Sequence, residues 1–260
     1  MLSSKISLSC LLALTTSAWR IDLRDGAYKD DHTIFLKSGE NLEVLVDGFN
    51  GSGYSWMNNL EYAKRNGFEN SDGHIDFTNE EEYDGDQMFD YLDESDFMPG
   101  RQRSAKVNFS TRAGEDFTEV IRFAYERPWL MKGDFPATAQ DFSSSDKFTR
   151  INVMAKANFA HDYRCDNFNL KIIPDDLPVI AGDQIRLVIK ENPTTGFTWH
   201  TNVESSTSSD NDAPITQIYS WYEAPNTALM GAAGLHIFVF QINDPATAEL
   251  NLGLTRPGVD

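Results

Sequence analysis

The chain has 260 residues and a formal charge of −18, from 22 lysines and arginines against 40 aspartates and glutamates. That balance argues against nucleic acid or an anionic membrane as a partner, because both would repel it. The length allows one or two domains on a prior of about 100–200 residues each.

At the N-terminus, Lys5 precedes an apolar run from Ile6 to Leu14, followed by Thr15-Thr16-Ser17-Ala18. This has the form of a secretory signal, too short to span a bilayer, with cleavage expected after Ala18. A buried first strand is the alternative. The expected location is therefore secreted or in the endolysosomal lumen, with no membrane span. Cys10 would leave with the signal and Cys165 would stand alone, so stability has to come from packed sheets rather than disulfides.

Domain 1, residues 19–156, opens with strands at Ile34 to Leu36 and Leu42 to Val46, and a short helix is possible around Leu60 to Asn66. Residues 69–96 are strongly acidic, with Glu80-Glu81-Glu82 and six further acids from Asp84 to Asp96. The loop spacing of a helix-loop-helix calcium site is absent, so the stretch reads as a solvated insertion. Strands around Val107 and Phe109, from Val120 to Glu126 and from Phe148 to Met154 complete the domain. Asn50-Gly51-Ser52 and Asn108-Phe109-Ser110 are glycosylation sequons. Residues 157–167 are polar and read as a linker, with Cys165 an incidental thiol in it.

Domain 2, residues 168–260, carries the most distinctive stretch, Asn192-Pro193-Thr194-Thr195-Gly196-Phe197. The strand before it alternates, with Ile185, Leu187 and Ile189 apolar and Arg186 and Lys190 charged, as in a half-buried strand. Pro193 breaks the ladder and Gly196 can take the positive φ of a tight reversal. A new strand starts at Phe197-Thr198-Trp199, with His200 on its exposed face. Further strands are expected at Ile218 to Tyr222, His236 to Ile242 and Leu250 to Leu254. The small-residue turn Gly231-Ala232-Ala233-Gly234 lies among them.

The two halves repeat. Gly39 to Val46 lies over Gly182 to Ile189 at a shift of 143, as Gly53-Tyr54-Ser55-Trp56 does over Gly196-Phe197-Thr198-Trp199. Thr118 to Pro128 lies over Thr247 to Pro257 at a shift of 129, so the first copy is longer in its middle by 14 residues. Many short alternating strands with turns between them indicate β-sandwiches. The fold class expected is all-β, with two tandem immunoglobulin-like sandwiches, the second lacking its last strand.

No catalytic constellation emerges. The five histidines are scattered, and there is no zinc spacing, no Gly-x-Ser-x-Gly elbow and no phosphate cradle. No cofactor or metal is implied, and the chain reads as a non-enzyme. A hydrolase built on the acids of 69–96 would need two of them singled out, and nothing does so.

Three loops resemble the chagasin family of cysteine-peptidase inhibitors, an immunoglobulin-like sandwich with an Asn-Pro-Thr-Thr-Gly-Phe/Tyr loop, a glycine-rich loop and an Arg-Pro-Trp loop at one end. Domain 2 matches the first at Asn192, Pro193, Thr194, Thr195, Gly196 and Phe197. It matches the second at Gly231, Ala232, Ala233 and Gly234, and the third only as Arg256-Pro257, with Gly258 in place of tryptophan. Domain 1 matches the third fully at Arg127, Pro128 and Trp129, but has Asn50, Gly51 and Ser52 where domain 2 has Pro193, Thr194 and Thr195.

The resemblance implies a reversible inhibitor of papain-family peptidases of the cathepsin type. Its threonine loop enters the active-site cleft, with Thr194 nearest the catalytic centre, Thr195 supporting the loop and Trp129 a plausible anchor. Domain 2 would do most of the inhibition. The competing expectation is a secreted adhesion or carbohydrate-binding module relying on exposed aromatics such as Trp129 or Trp221.

Overall fold

The computed structural model describes residues 18–24, 27, 31–47, 53–67, 73–83, 104–135, 137–138, 147–165, 173, 177–203, 213–225 and 231–256. Among them the protein is all-β, with several sheets and one α-helix. One sheet has the order β1 (Ala18–Asp22), β3 (Asn41–Asp47), β6 (Ser104–Thr111), β5 (Ile75–Tyr83). A second has the order β2 (His32–Lys37), β8 (Phe148–Lys156), β7 (Phe117–Glu126), β4 (Ser55–Asn58). Their inner faces meet in one core, where Phe109 of β6 and Phe123 of β7 stand edge to face 6.0 Å apart. Alternation explains this burial, since every second residue of β6 points inward (Ala105, Val107, Phe109).

The helix, α1 (Asn59–Arg65), follows β4 directly. Asn58 caps it by accepting from the Glu61 amide at 2.8 Å, and Glu61 pairs with Arg65 one turn later.

A third sheet has the order β12 (Ile215–Glu223), β13 (Gly234–Ile242), β10 (Gln184–Glu191), β9 (His161–Cys165). Strands β11 (Thr198–Thr201) and β14 (Leu252–Thr255) form a two-stranded sheet. Ile185, Leu187, Ile189, Phe238 and Phe240 of the third sheet face a second core, which includes Trp199.

The strand arrangement recurs along the chain. β1, β3 and β4 begin at 18, 41 and 55, and β9, β10 and β11 begin 143 positions later at 161, 184 and 198. β1 runs parallel to β3 as β9 does to β10. β5 and β12 share an offset of 140, and both are bulged at the same place, between Phe77 and Asn79 and between Gln217 and Tyr219. The register sets Ser110 against Gln241, so the offset falls to 131 between β6 and β13, and nine of the fourteen extra residues (140 − 131) lie between β5 and β6.

Four expectations are corrected. The acidic stretch 69–96 is not an insertion throughout, because Ile75–Tyr83 is β5, paired along its length with β6. Asp76, Glu80 and Glu81 are exposed on that strand, where charge is tolerated, and residues 84–96 lie outside the described residues. The polar linker 157–167 contains β9, and Cys165 is a buried core thiol rather than an incidental one. The strand Ile185 to Lys190 is not half-buried, since it is covered on both faces. Trp221 is not an exposed aromatic, because it packs against the first core, with His32 at its ring edge. The expected signal, 1–18, lies outside the described residues except for Ala18, which opens β1.

The second face of the third sheet explains the last two corrections. Val188, Ile237 and Val239 join the first core, and Tyr219 packs at a tilt against Phe35 of the edge strand β2, at 4.9 Å. Arg186 is buried there and forks between two carboxylates. Its Nη1 and Nη2 reach Glu40 at 2.7 and 2.9 Å, while Nε and Nη2 reach Asp162 at 2.9 and 3.0 Å. Glu40 also accepts from Trp19 Nε1 at 2.7 Å and from the Lys37 amide at 2.8 Å. This ties β1, β2, β9, β10 and the turn before β3 into one network.

Candidate functional site

Strand register brings the distinctive loops of domain 2 together. Glu191 pairs with Gly234 across β10 and β13, so the chain leaving β10 lies beside the chain entering β13. Thr198 pairs with Thr255 across β11 and β14, so Gly196 and Phe197 lie beside Arg256. The three segments 192–197, 231–234 and 256 therefore share one end of the fold.

The first segment is a 3₁₀ turn, Pro193–Thr195, closed by Gly196 at φ +81°, in the left-handed region that favours glycine. Proline at the first position fixes φ at the turn's start. Asn192 organises the rest. Its backbone oxygen accepts from the Thr195 amide at 3.1 Å and from Thr195 Oγ1 at 2.7 Å. Its side-chain oxygen accepts from Thr194 Oγ1 at 2.6 Å, and its Nδ2 donates to the Gly231 carbonyl at 2.7 Å. Thr194, Thr195 and Phe197 are exposed at the tip.

The second segment crowds the first. A β-carbon on Gly231 would stand 3.9 Å from Thr194 Oγ1. On Gly234 it would stand 2.1 Å from the Glu223 carbonyl oxygen and 2.7 Å from Tyr222 Oη, so only glycine fits. Ala232 and Ala233 are half-buried between them. The third segment touches the first through Arg256, whose Nε would be 3.2 Å from a β-carbon on Gly196. Pro257 lies outside the described residues.

Domain 1 repeats part of this pattern. Ser55 pairs with Glu126, which sets Tyr54 beside Arg127. The guanidinium of Arg127 lies 4.6 Å from the Tyr54 ring centroid, a cation–π contact. Pro128–Leu130 is a 3₁₀ turn, and Trp129 folds back so that its Cη2 would lie 2.5 Å from a β-carbon on Gly53. Trp129 is 63% exposed and Leu130 49%, an apolar tip facing solvent rather than a core. Asn50 lies outside the described residues. The Asn108 amide on β6 donates to Glu81 Oε1 at 2.7 Å and to Asn79 Oδ1 at 3.1 Å.

Beneath the domain 2 loops sits a polar group that sequence reasoning missed. Glu191 is buried. One of its oxygens accepts from the Trp199 amide at 3.3 Å and the other contacts His236 Nδ1. His236 Nε2 meets Ser220 Oγ at 2.8 Å, and its ring stacks on Phe238 at 4.0 Å. The missed signal was a parity one. Glu191 shares the inward parity of Ile185, Leu187 and Ile189, and a charge on an apolar face needs a partner.

The sequence comparisons agree with this end of the molecule. The family model described as Chagasin family peptidase inhibitor I42 matches residues 179–260, the span holding all three segments of domain 2. Chagasin of Trypanosoma cruzi is 30% identical over 81 residues, 31% of this chain and 72% of that protein. The chain belongs to the chagasin family.

Chagasin-family proteins are inhibitors that bind cysteine peptidases, and they are not enzymes. Two solved structures are similar at a lower level. The cysteine protease inhibitor EhICP2 from Entamoeba histolytica is 13% identical with a TM-score of 0.33, over 54% of this chain and 96% of its own. Amebosin is 17% identical with a TM-score of 0.31, over 53% and 98%. No helix among the described residues is long and apolar enough to cross a membrane, and no group of three or more His, Cys, Asp or Glu there could hold a metal ion.

Proposed function

We propose that this protein inhibits papain-like cysteine peptidases of the cathepsin type by seating the domain 2 loops in the active-site cleft. Residues 192–197 enter the cleft, with 231–234 and the Arg256-Pro257 segment against its walls. Thr194 lies nearest the catalytic cysteine and histidine, and Thr195 braces the turn. The observation that carries this reading is the bonding of the first loop to the second through Asn192 Nδ2 and the Gly231 carbonyl. A tip already fixed by proline and by its own hydrogen bonds loses little conformational entropy on docking. Such a tip blocks the thiolate without presenting a scissile bond.

We read the chain as a tandem of two immunoglobulin-like sandwiches from a duplication, secreted or delivered to the endolysosomal lumen. The recurring strand offsets and the shared bulge support the duplication. Domain 1 lacks the proline–threonine tip, and its contribution is a weaker or differently directed contact through the exposed Trp129.

Titration of papain with the full chain tests the reading. Thr194→Ala together with Thr195→Ala should raise the inhibition constant by about tenfold or more, from lost tip contacts and a loosened turn. An unchanged constant would refute the loop assignment.

A further inference from the structure

The cluster under the loops goes beyond this reading and rests on it. Glu191 is the last residue of β10, immediately before Asn192, and its carboxylate takes the Trp199 amide just beyond the loop. One side chain therefore bridges both ends of the 192–197 segment. Its other oxygen holds His236, two residues past Gly234, where the second loop has just become β13. We infer that Glu191, clamped by His236, is a positioning residue for inhibition. It fixes the spacing of the first two loops through the Nδ1–H that His236 donates to it.

The groups facing His236 come from every neighbouring strand. Glu191 of β10 accepts from Nδ1, which leaves Nε2 to take the Ser220 hydroxyl proton from β12. Tyr222 of β12 lies edge-on at 6.5 Å, Phe238 stacks on the ring, and the charge of His200 on β11 opposes its protonation. Burial holds the imidazole below its ordinary value, against the pull of Glu191. The second proton would force Ser220 to turn its hydroxyl away, but it would strengthen the Nδ1–H contact with Glu191 into an ion pair. The two halves differ here, since strand register places Ala105, which has no ionisable group, at the position on β6 matching His236. The clamp belongs to domain 2.

The test compares full-chain wild type, His236→Phe and Glu191→Gln against papain at several values from about pH 7.5 to about pH 5. His236→Phe keeps the stack on Phe238, and Glu191→Gln keeps the volume. Dividing each variant's inhibition constant by that of the wild type at the same pH cancels the peptidase's own ionisations. The ratio should be about tenfold at the upper end and rise further as acid protonates His236 in the wild type and turns its contact with Glu191 into an ion pair. A ratio of one throughout overturns the inference. So does a raised ratio that does not move with pH, as a merely structural role would give.

Thr194→Ala in the same assay separates the two levels. If it has no effect, the loop reading fails. If it weakens inhibition while the clamp variants do not, only the clamp fails. Should a variant melt below the assay temperature, hydrogen exchange on the wild type decides. Protection of the Trp199 amide, corrected for intrinsic rate, should rise as pH drops through the histidine range, and constant protection overturns the inference.

Discussion

Arg186→Met removes the cation at the centre of the contact between the two halves. The guanidinium makes four hydrogen bonds to Glu40 and Asp162, and its side chain is only 5% exposed. Deleting one partner of a buried ion pair costs about 3–5 kcal/mol, because the opposite charge is left uncompensated. Glu40 and Asp162 are 21% and 22% exposed, so water reaches them and the lower figure applies. Glu40 also keeps the Trp19 and Lys37 donors. The expected loss is about 3 kcal/mol, and with about 2 °C per kcal/mol for a chain of this size the melting midpoint should fall by roughly 6 °C. Methionine fills much of the vacated volume, so the loss reports on charge rather than on a cavity. Adding Glu40→Gln should then recover about 1 kcal/mol by removing an orphaned carboxylate. A melt within about 2 °C of wild type for the single variant, or a further loss on adding Glu40→Gln, would show that the network is not what joins the halves.

Gly234→Ala should cost about 3 kcal/mol and weaken inhibition as well, because the new methyl meets the Glu223 carbonyl and must part β12 from β13. A melting curve and an inhibition constant both equal to wild type would contradict this. Burial pushes the Glu223 carboxyl up to about 7, although Arg20 and Arg164 pull it down. Its folded value lies above the ordinary 4.5, so its contribution to stability is fully present below 4.5 and is lost as pH rises to about 7. Glu223→Gln should therefore match wild type in acid and exceed it above neutrality by up to about 3 kcal/mol. Urea unfolding midpoints across that range check it, and parallel pH profiles for the two proteins would exclude it.

The strands and the loop tips were legible in the sequence because period-two alternation and turn chemistry are local. Gly39 to Val46 runs into β3 and Gly182 to Ile189 into β10, where the alternation places strands. What local patterns could not show was the second partner of the third sheet. Arg186 alternates with Ile185 and Leu187 as a solvent-facing residue would, yet the face it occupies is covered by another part of the chain. Polar β9 escaped notice for the same reason. Asp162 is there to meet Arg186, and Arg164 lies 5.8 Å from the Trp19 ring, so its charges have partners in the fold. The acids of β5 resembled a loop because charge on an exposed sheet face carries no hydrophobic signal. Glu191 and His236 lay in plain view beside the two loops, but their pairing needs the register of β10 against β13.

The shared face of the third sheet also bears on which reagents can be made. Cutting the chain between the halves would lay bare Val188, Ile237, Val239 and Tyr219 at once, a contiguous greasy surface of the kind that drives clumping in solution. An isolated C-terminal fragment, although it carries the loop segments 192–197 and 231–234, is thus expected to precipitate or self-associate. Any apparent weakness it showed towards a peptidase would report its own stickiness rather than its loops.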